Sequence, residues 1–299
     1  LQQPPEVSGA FVITRAAAVA SFAHPLSLRT LGRATLLALA ATLLSACGGG
    51  GSDGGGITDT VTISGRVTYD RVPFGTALDA GLNYAGTTQE PVREAVVQFV
   101  TGIGGGVQAS GATDSNGNYT LTVPANSSGF VRVRAQSVRT ATPARDIEVR
   151  NNTGSGLPVY VLDGSVFNTG TTNLTRNLHA ASGWGGSSYT GVRAAAPFAI
   201  LDSMVSTVNF LLDEGSATTN LPPLDVFWSP LNTAVDGDVT LGEIDTTSYF
   251  AASEFGPPAG IYVLGDENTD TDEYDQHVIV HEFQHFLEDS IMRSESPAG

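Results

Sequence analysis

The sequence predicts a multidomain chain: an all-β sandwich, then an α+β domain, behind a secretory address. Three observations carry this. Residues 60–69 alternate, with Val61, Ile63, Val67 and Tyr69 on one face and Thr62, Ser64, Arg66 and Thr68 on the other, the period of a half-buried strand. Residues 193–214 and 274–291 repeat apolar positions at three- and four-residue steps among short apolar runs, as helices among strands do. Residues 34–44 run almost without polar atoms. They are too few for a bilayer span, which needs ~20, and match the apolar core of a secretory signal.

That address has further parts. No Met precedes Met204, so residues 1–25 read as lying upstream of the true signal. Arg29 and Arg33 form its basic region. The apolar run ends in Leu44-Ser45-Ala46-Cys47, which resembles the bacterial lipobox, whose Cys is lipidated and becomes the mature N-terminus. Cys47 is the chain's single Cys, which forbids an intrachain disulfide and a cysteine zinc cluster. The Gly-rich stretch through residue 58 reads as a flexible tether. The resemblance implies a signal over residues 1–46, a lipid anchor at Cys47 and an extracytoplasmic place on a bacterial membrane. Gly48 rather than Asp after the Cys implies the outer membrane or cell surface. An ordinary cleavable signal beside a chance Cys stays open.

Residues 59–152 read as the sandwich, with further strands at 95–100, 119–123, 130–135 and 146–150, and with Asn116-Gly117 as a tight hairpin turn. The pattern Gly65-x-Val67, Ala95-x-x-x-Phe99, Asp114-x-Asn116-Gly117-x-Tyr119-x-Leu121-x-Val123-Pro124 and Val131-x-Val133-x-Ala135 resembles the carboxypeptidase-regulatory-like, transthyretin-related sandwich. The resemblance implies a spacer or binding accessory without chemistry of its own.

Residues 153–299 form the predicted α+β domain, with strands at 158–162, 224–228, 248–251 and 260–264. Residues 201–299 carry 19 acids against one Arg, a net of −18 within a chain of −16. Such a surface repels nucleic acid, and DNA or RNA binding is excluded as a function class.

The chemical signal lies in the last helix, as His281-Glu282-Phe283-Gln284-His285. Residues four apart share one helix face, so both imidazoles can offer a nitrogen to one Zn²⁺. Glu282, rotated by ~100°, can serve as general base toward the activated water. The candidate site is therefore His281 and His285 as metal ligands and Glu282 as the catalytic group. Two bland readings stand beside it: a surface helix with incidental histidines, and a metal site without catalysis.

The stretch resembles thermolysin-like gluzincins more widely. These place an edge strand before the zinc helix, where Ile261-Tyr262-Val263-Leu264-Gly265-Asp266 stands here, and an Asp four residues after the second zinc His, where Asp289 stands. The resemblance implies a zincin-like metallopeptidase domain acting on a peptide or protein substrate, which would add as a strand along residues 260–264. Residues 272–289 also look like a group of bacterial secreted proteins with H-E-x-G-H-x-x-E-D, with Gln284 in place of the Gly. Metzincins require a Gly and a third His where Glu288 and Ile291 stand, so that branch is excluded. Gluzincins take a third ligand, a Glu, about twenty residues after the second His, so the expectation is a domain incomplete at its C-terminus, with that ligand beyond Gly299. Glu288 shares the helix face, but three ligands from one straight helix rarely close a tetrahedral shell. His277, one turn before His281, reads as a helix-start residue.

Asp266-x-Asn268-x-Asp270-x-Asp272 resembles a Ca²⁺ loop, yet lacks Gly at its sixth position and Glu at its twelfth. The alternative is a solvated acidic loop. For the whole chain the rival to a zinc peptidase is a catalytically inactive surface lipoprotein used for binding or adhesion. A carbohydrate-binding sandwich would need clustered aromatics, and Tyr69, Tyr84 and Tyr119 are scattered.

Overall fold

The computed structural model describes residues 59–76, 81–102, 105–213, 219–253 and 256–291. The predicted signal, Cys47 and the tether lie outside these residues. The chain from Ile57 to Gly299 forms one unit, taken here by itself. Its described residues are mostly β-sheet: three five-stranded sheets, none closed, with two α-helices.

The first sheet is built on β1 (Thr60–Arg71), whose alternation buries Val61, Ile63, Val67 and Tyr69 as expected. β5 (Asn118–Pro124) and the short β2 (Thr88–Pro91) pair with it antiparallel. Two short strands, β11 (Leu174–Thr175) and β12 (Leu178–Ala180), pair with it in parallel. The second sheet contains β3 (Val96–Val100), β4 (Val107–Ala112) and β6 (Ser128–Arg134), with β9 (Val161–Asp163) and β10 (Phe167–Asn168) on β6. The sandwich thus draws strands from both sides of residue 152.

Asn116-Gly117 does not make the expected hairpin. β4 and β5 belong to different sheets, so the turn crosses between them. Of the two residues Gly117 has positive φ, +79°, and a Cβ there would meet the Val67 carbonyl at 2.4 Å. The Asp114 carboxylate shapes the turn by accepting the Asn116 and Asn118 N–H groups, both at 2.8 Å.

The third sheet runs β14 (Ser248–Phe250), β15 (Gly260–Val263), β13 (Leu224–Trp228), β8 (Arg145–Arg150), β7 (Gln136–Arg139). Its three central strands are parallel and both outer strands antiparallel. Two sequence expectations change here. The strand at 146–150 belongs to this sheet rather than to the sandwich. The strand at 260–264 is interior, between β13 and β14, so it offers no free edge for a peptide. The edge is β14.

Both faces of this sheet are covered. Leu224, Val226, Trp228, Ile261 and Val263 join the main core, while Phe227, Tyr262 and Leu264 pack with Ile244 on the other side, a period-two division. Helix α1 (Ala196–Asp213) packs on β8, and α2 (Gln276–Ser290) packs on α1, β14 and β15. Arg93 and Asp202, joined bidentately at 2.6 and 2.7 Å, tie the sandwich to α1, and the Tyr69 hydroxyl donates to the same carboxylate.

Candidate metal centre on the second helix

Helix α2 begins where Asp275 accepts the N–H groups of His277 and Val278, capping its first turn. Ile279, Phe283, Phe286 and Leu287 then form its buried stripe at three- and four-residue steps. That stripe fixes the helix rotation and turns His281 and His285 outward, their side chains 67% and 49% exposed. Both histidines are therefore exposed even though Ile279, Val280, Phe283, Phe286 and Leu287 surround them in the sequence. Only Glu282 goes inward.

The two imidazoles converge. Nε2 of His281 lies 3.2 Å from Nε2 of His285, with the rings nearly perpendicular. Two nitrogens each ~2.05 Å from a tetrahedral ion stand ~3.3 Å apart, so this spacing fits one Zn²⁺. His281, Glu282 and His285 are the group of possible ligands that converges among the described residues. Glu288 does not join them. Its carboxylate sits 3.7 Å from Nδ1 of His285, the other ring nitrogen, and accepts from Gln284 at 3.3 Å. At 3.7 Å it makes no hydrogen bond to the ring.

Glu282 is held by a residue that the sequence did not single out. Its Oε2 accepts the backbone N–H of Tyr249, on edge strand β14, at 2.8 Å. Its Oε1 lies 3.9 Å from His281 Nε2. The Tyr249 hydroxyl donates to Asp289 at 2.8 Å, and its ring packs edge-on to Phe286. Partial burial and the Asp289 carboxylate push the Tyr249 hydroxyl up to about 12. β14 is thus bound to α2 at both ends of one residue. A three-residue strand adjoining acidic helix residues carries no pattern that would have revealed this.

Other residues are placed differently. His277 is exposed. His179 stands on β12, with Nδ1 2.9 Å from Thr68 Oγ1 and Nε2 3.0 Å from Asp70. In the acidic loop, Asp266 accepts from Asn268 and Asp270 from the Thr271 N–H, contacts within the loop itself. Asp272 is mostly buried, its carboxyl pushed up to about 6.

Sequence reading missed the Arg193–Glu273 pair entirely. Glu273 is fully buried and accepts from Arg193, which also donates to the Gly265 carbonyl and lies over the Tyr189 ring. Burial holds the Glu273 carboxyl above its ordinary range despite the guanidinium.

No protein-family model matches the sequence, and no curated protein matches it. Among solved structures, a 9R-lipoxygenase from Cyanothece aligns at 9% identity with a TM-score of 0.22, over 62% of this chain and 27% of that one.

Proposed function

We propose that this chain is a zinc-dependent metallopeptidase, anchored to a bacterial membrane through Cys47 and hydrolysing peptide bonds with activated water. The observation that supports it most is the outward-facing His281–His285 pair at metal-binding spacing, beside a buried Glu282 fixed by the edge strand. A mixed sheet with an antiparallel edge strand beside the H-E-x-x-H helix also suits the zincin-like arrangement that the gluzincin resemblance implies.

His281 and His285 would hold the ion through Nε2. Zinc there would supply a Lewis acid that activates water at neutral pH and polarises the scissile carbonyl. The Tyr249 N–H engages Oε2 of Glu282 and leaves Oε1 on the histidine side to take a proton from that water. The same oxygen then returns the proton to the leaving amine.

Nε2 of His281 and of His285 stand at hydrogen-bond distance, 3.2 Å, a contact that two imidazoles also make with no ion between them. That observation favours the second reading, an inactive surface lipoprotein serving as a binding module. One experiment separates the two, using protein expressed with whatever its gene encodes around and after this sequence. In the peptidase reading a zinc chelator abolishes hydrolysis of a casein substrate. His281→Ala loses the metal, whereas Glu282→Gln keeps it and loses about 10²–10⁴ in rate. Unchanged hydrolysis in Glu282→Gln, or no bound zinc, would refute the peptidase reading.

A further inference from the structure

Away from α2 and β14 the structure contains a cavity of about 770 Å³. It opens at the carboxyl ends of the parallel strands. Asn151 follows β8, Pro230 and Leu231 follow β13, and Asp266 to Asn268 follow β15. Crevices at that end of parallel strands are where open α/β sheets take ligands. The volume falls within the usual range of small-molecule sites, roughly 300–1,000 Å³.

Its lining mixes two chemistries. Val192 and Leu231, 84% and 61% exposed, and the partly buried Tyr160 supply apolar wall, while Phe198 and Trp228 lie behind it, themselves buried. Large apolar side chains bared on a concave wall are uncovered surface that an apolar body would remove from water. Asp266 and Glu267 also line it. The Asn268 N–H groups hold the Asp266 carboxyl below its ordinary range, so it stays charged. Arg193 is the single basic residue in the lining, and its charge faces Glu273 and the Gly265 carbonyl in the protein interior. The cavity therefore offers two carboxylates beside exposed apolar wall, with its one basic side chain already engaged by Glu273.

We propose that this cavity is a binding site for a small organic cation: an amine whose aromatic or aliphatic body lies against Val192, Tyr160 and Leu231 and whose ammonium meets Asp266 and Glu267. The site shares no residue with the His281–His285 centre and does not depend on metal there.

Calorimetric titration with phenylbutylamine, phenylbutanol and phenylbutyrate tests it, because the three share one body and differ in the charge of the head. Trp228, one of the chain's two tryptophans, gives a parallel fluorescence signal. The amine should bind about three- to fivefold more tightly than the alcohol, the yield of a partly exposed ion pair, and the acid more weakly than either. Asp266→Asn with Glu267→Gln should bring the amine down to the alcohol's affinity and leave the alcohol unchanged. Asn at 266 keeps an acceptor for Asn268, and a thermal melt checks the fold. Leu231→Ser, on an exposed wall, should weaken amine and alcohol alike. Equal affinity for all three probes, tighter binding of the acid, or no saturable binding at millimolar concentration would overturn the proposal.

Discussion

The sandwich and the third sheet are covered by one continuous core, yet they bury different things. Inside the sandwich the buried side chains are almost all apolar, such as Ile63, Val67, Phe99, Leu121 and Val133, with Thr113 and Thr169 as polar members. Around the third sheet and its helices the chain buries Arg145, Glu148, Asn152, Arg193, Asp202, Asn232, Glu273 and Glu282. Buried charge is retained at a cost in stability even when paired, because desolvation offsets most of the attraction. The sandwich core therefore avoids most of that desolvation cost. The third sheet gives up stability to hold polar groups in fixed places, and it is the layer that carries the H-E-x-x-H helix and the cavity.

The largest expected effect follows from the deepest of those charges. Arg193→Ala would leave the Glu273 carboxylate buried without its partner and should cost about 3–5 kcal/mol by urea unfolding. Ile63→Val, which removes one methylene from the sandwich core, should cost only about 0.5–1.5 kcal/mol. Replacing both charges, as Arg193→Met with Glu273→Leu, should recover most of the loss. If Arg193→Ala cost no more than Ile63→Val, the contrast between the two layers would not hold.

A smaller effect sharpens the contrast through pH. Asp272 accepts a hydrogen bond from Thr247 at 2.5 Å, and burial, with Asp270 and Asp275 nearby, raises its carboxyl from 3.8 to about 6. Between those values the folded chain holds a proton that the unfolded chain has lost. Stability from this group is thus complete below about pH 4, falls as pH rises toward 6, and is level above. Asp272→Asn cannot titrate and keeps an acceptor for Thr247. It should raise stability at pH 7.5 by about 1 kcal/mol, allowing for partial solvent screening, and change nothing at pH 4. Melting temperatures of both proteins at the two pH values measure this directly.

What could be read from the sequence depended on whether a residue's role is local. The alternation of residues 60–69 became β1, residues 224–228 are β13 residue for residue, and the spacing of His281 and His285 brought their nitrogens together because four residues make one helical turn. Pairings between distant segments left no such mark. β10, β11 and β12 hide in a Gly- and Ser-rich stretch because strands of two or three residues show no period. The interior place of β15 depends on β14, too short to declare itself an edge. The Glu282 contact uses the main chain of Tyr249, so the identity of residue 249 says nothing about it. Arg193 and Glu273 meet across 80 residues, and each alone reads as a surface charge.

The smallest expected effect concerns the joint between β14 and α2. Tyr249→Phe removes the hydroxyl that donates to Asp289 but keeps the ring on Phe286 and the N–H on Glu282. A hydrogen bond to a carboxylate at an exposed position should contribute about 0.5–1 kcal/mol, so global stability should fall by no more than that. The local consequence differs in kind. β14 pairs with β15 through only three residues, and its other edge is held to α2 by Tyr249 alone among the described contacts. Loss of one of two tethers should let the edge open more often, so hydrogen exchange at the Tyr249 amide should quicken while amides of β1 in the sandwich stay as they were. Equal acceleration in both layers would mean that the edge opens only when the whole chain unfolds, and that Glu282 is positioned by the global fold rather than by this joint.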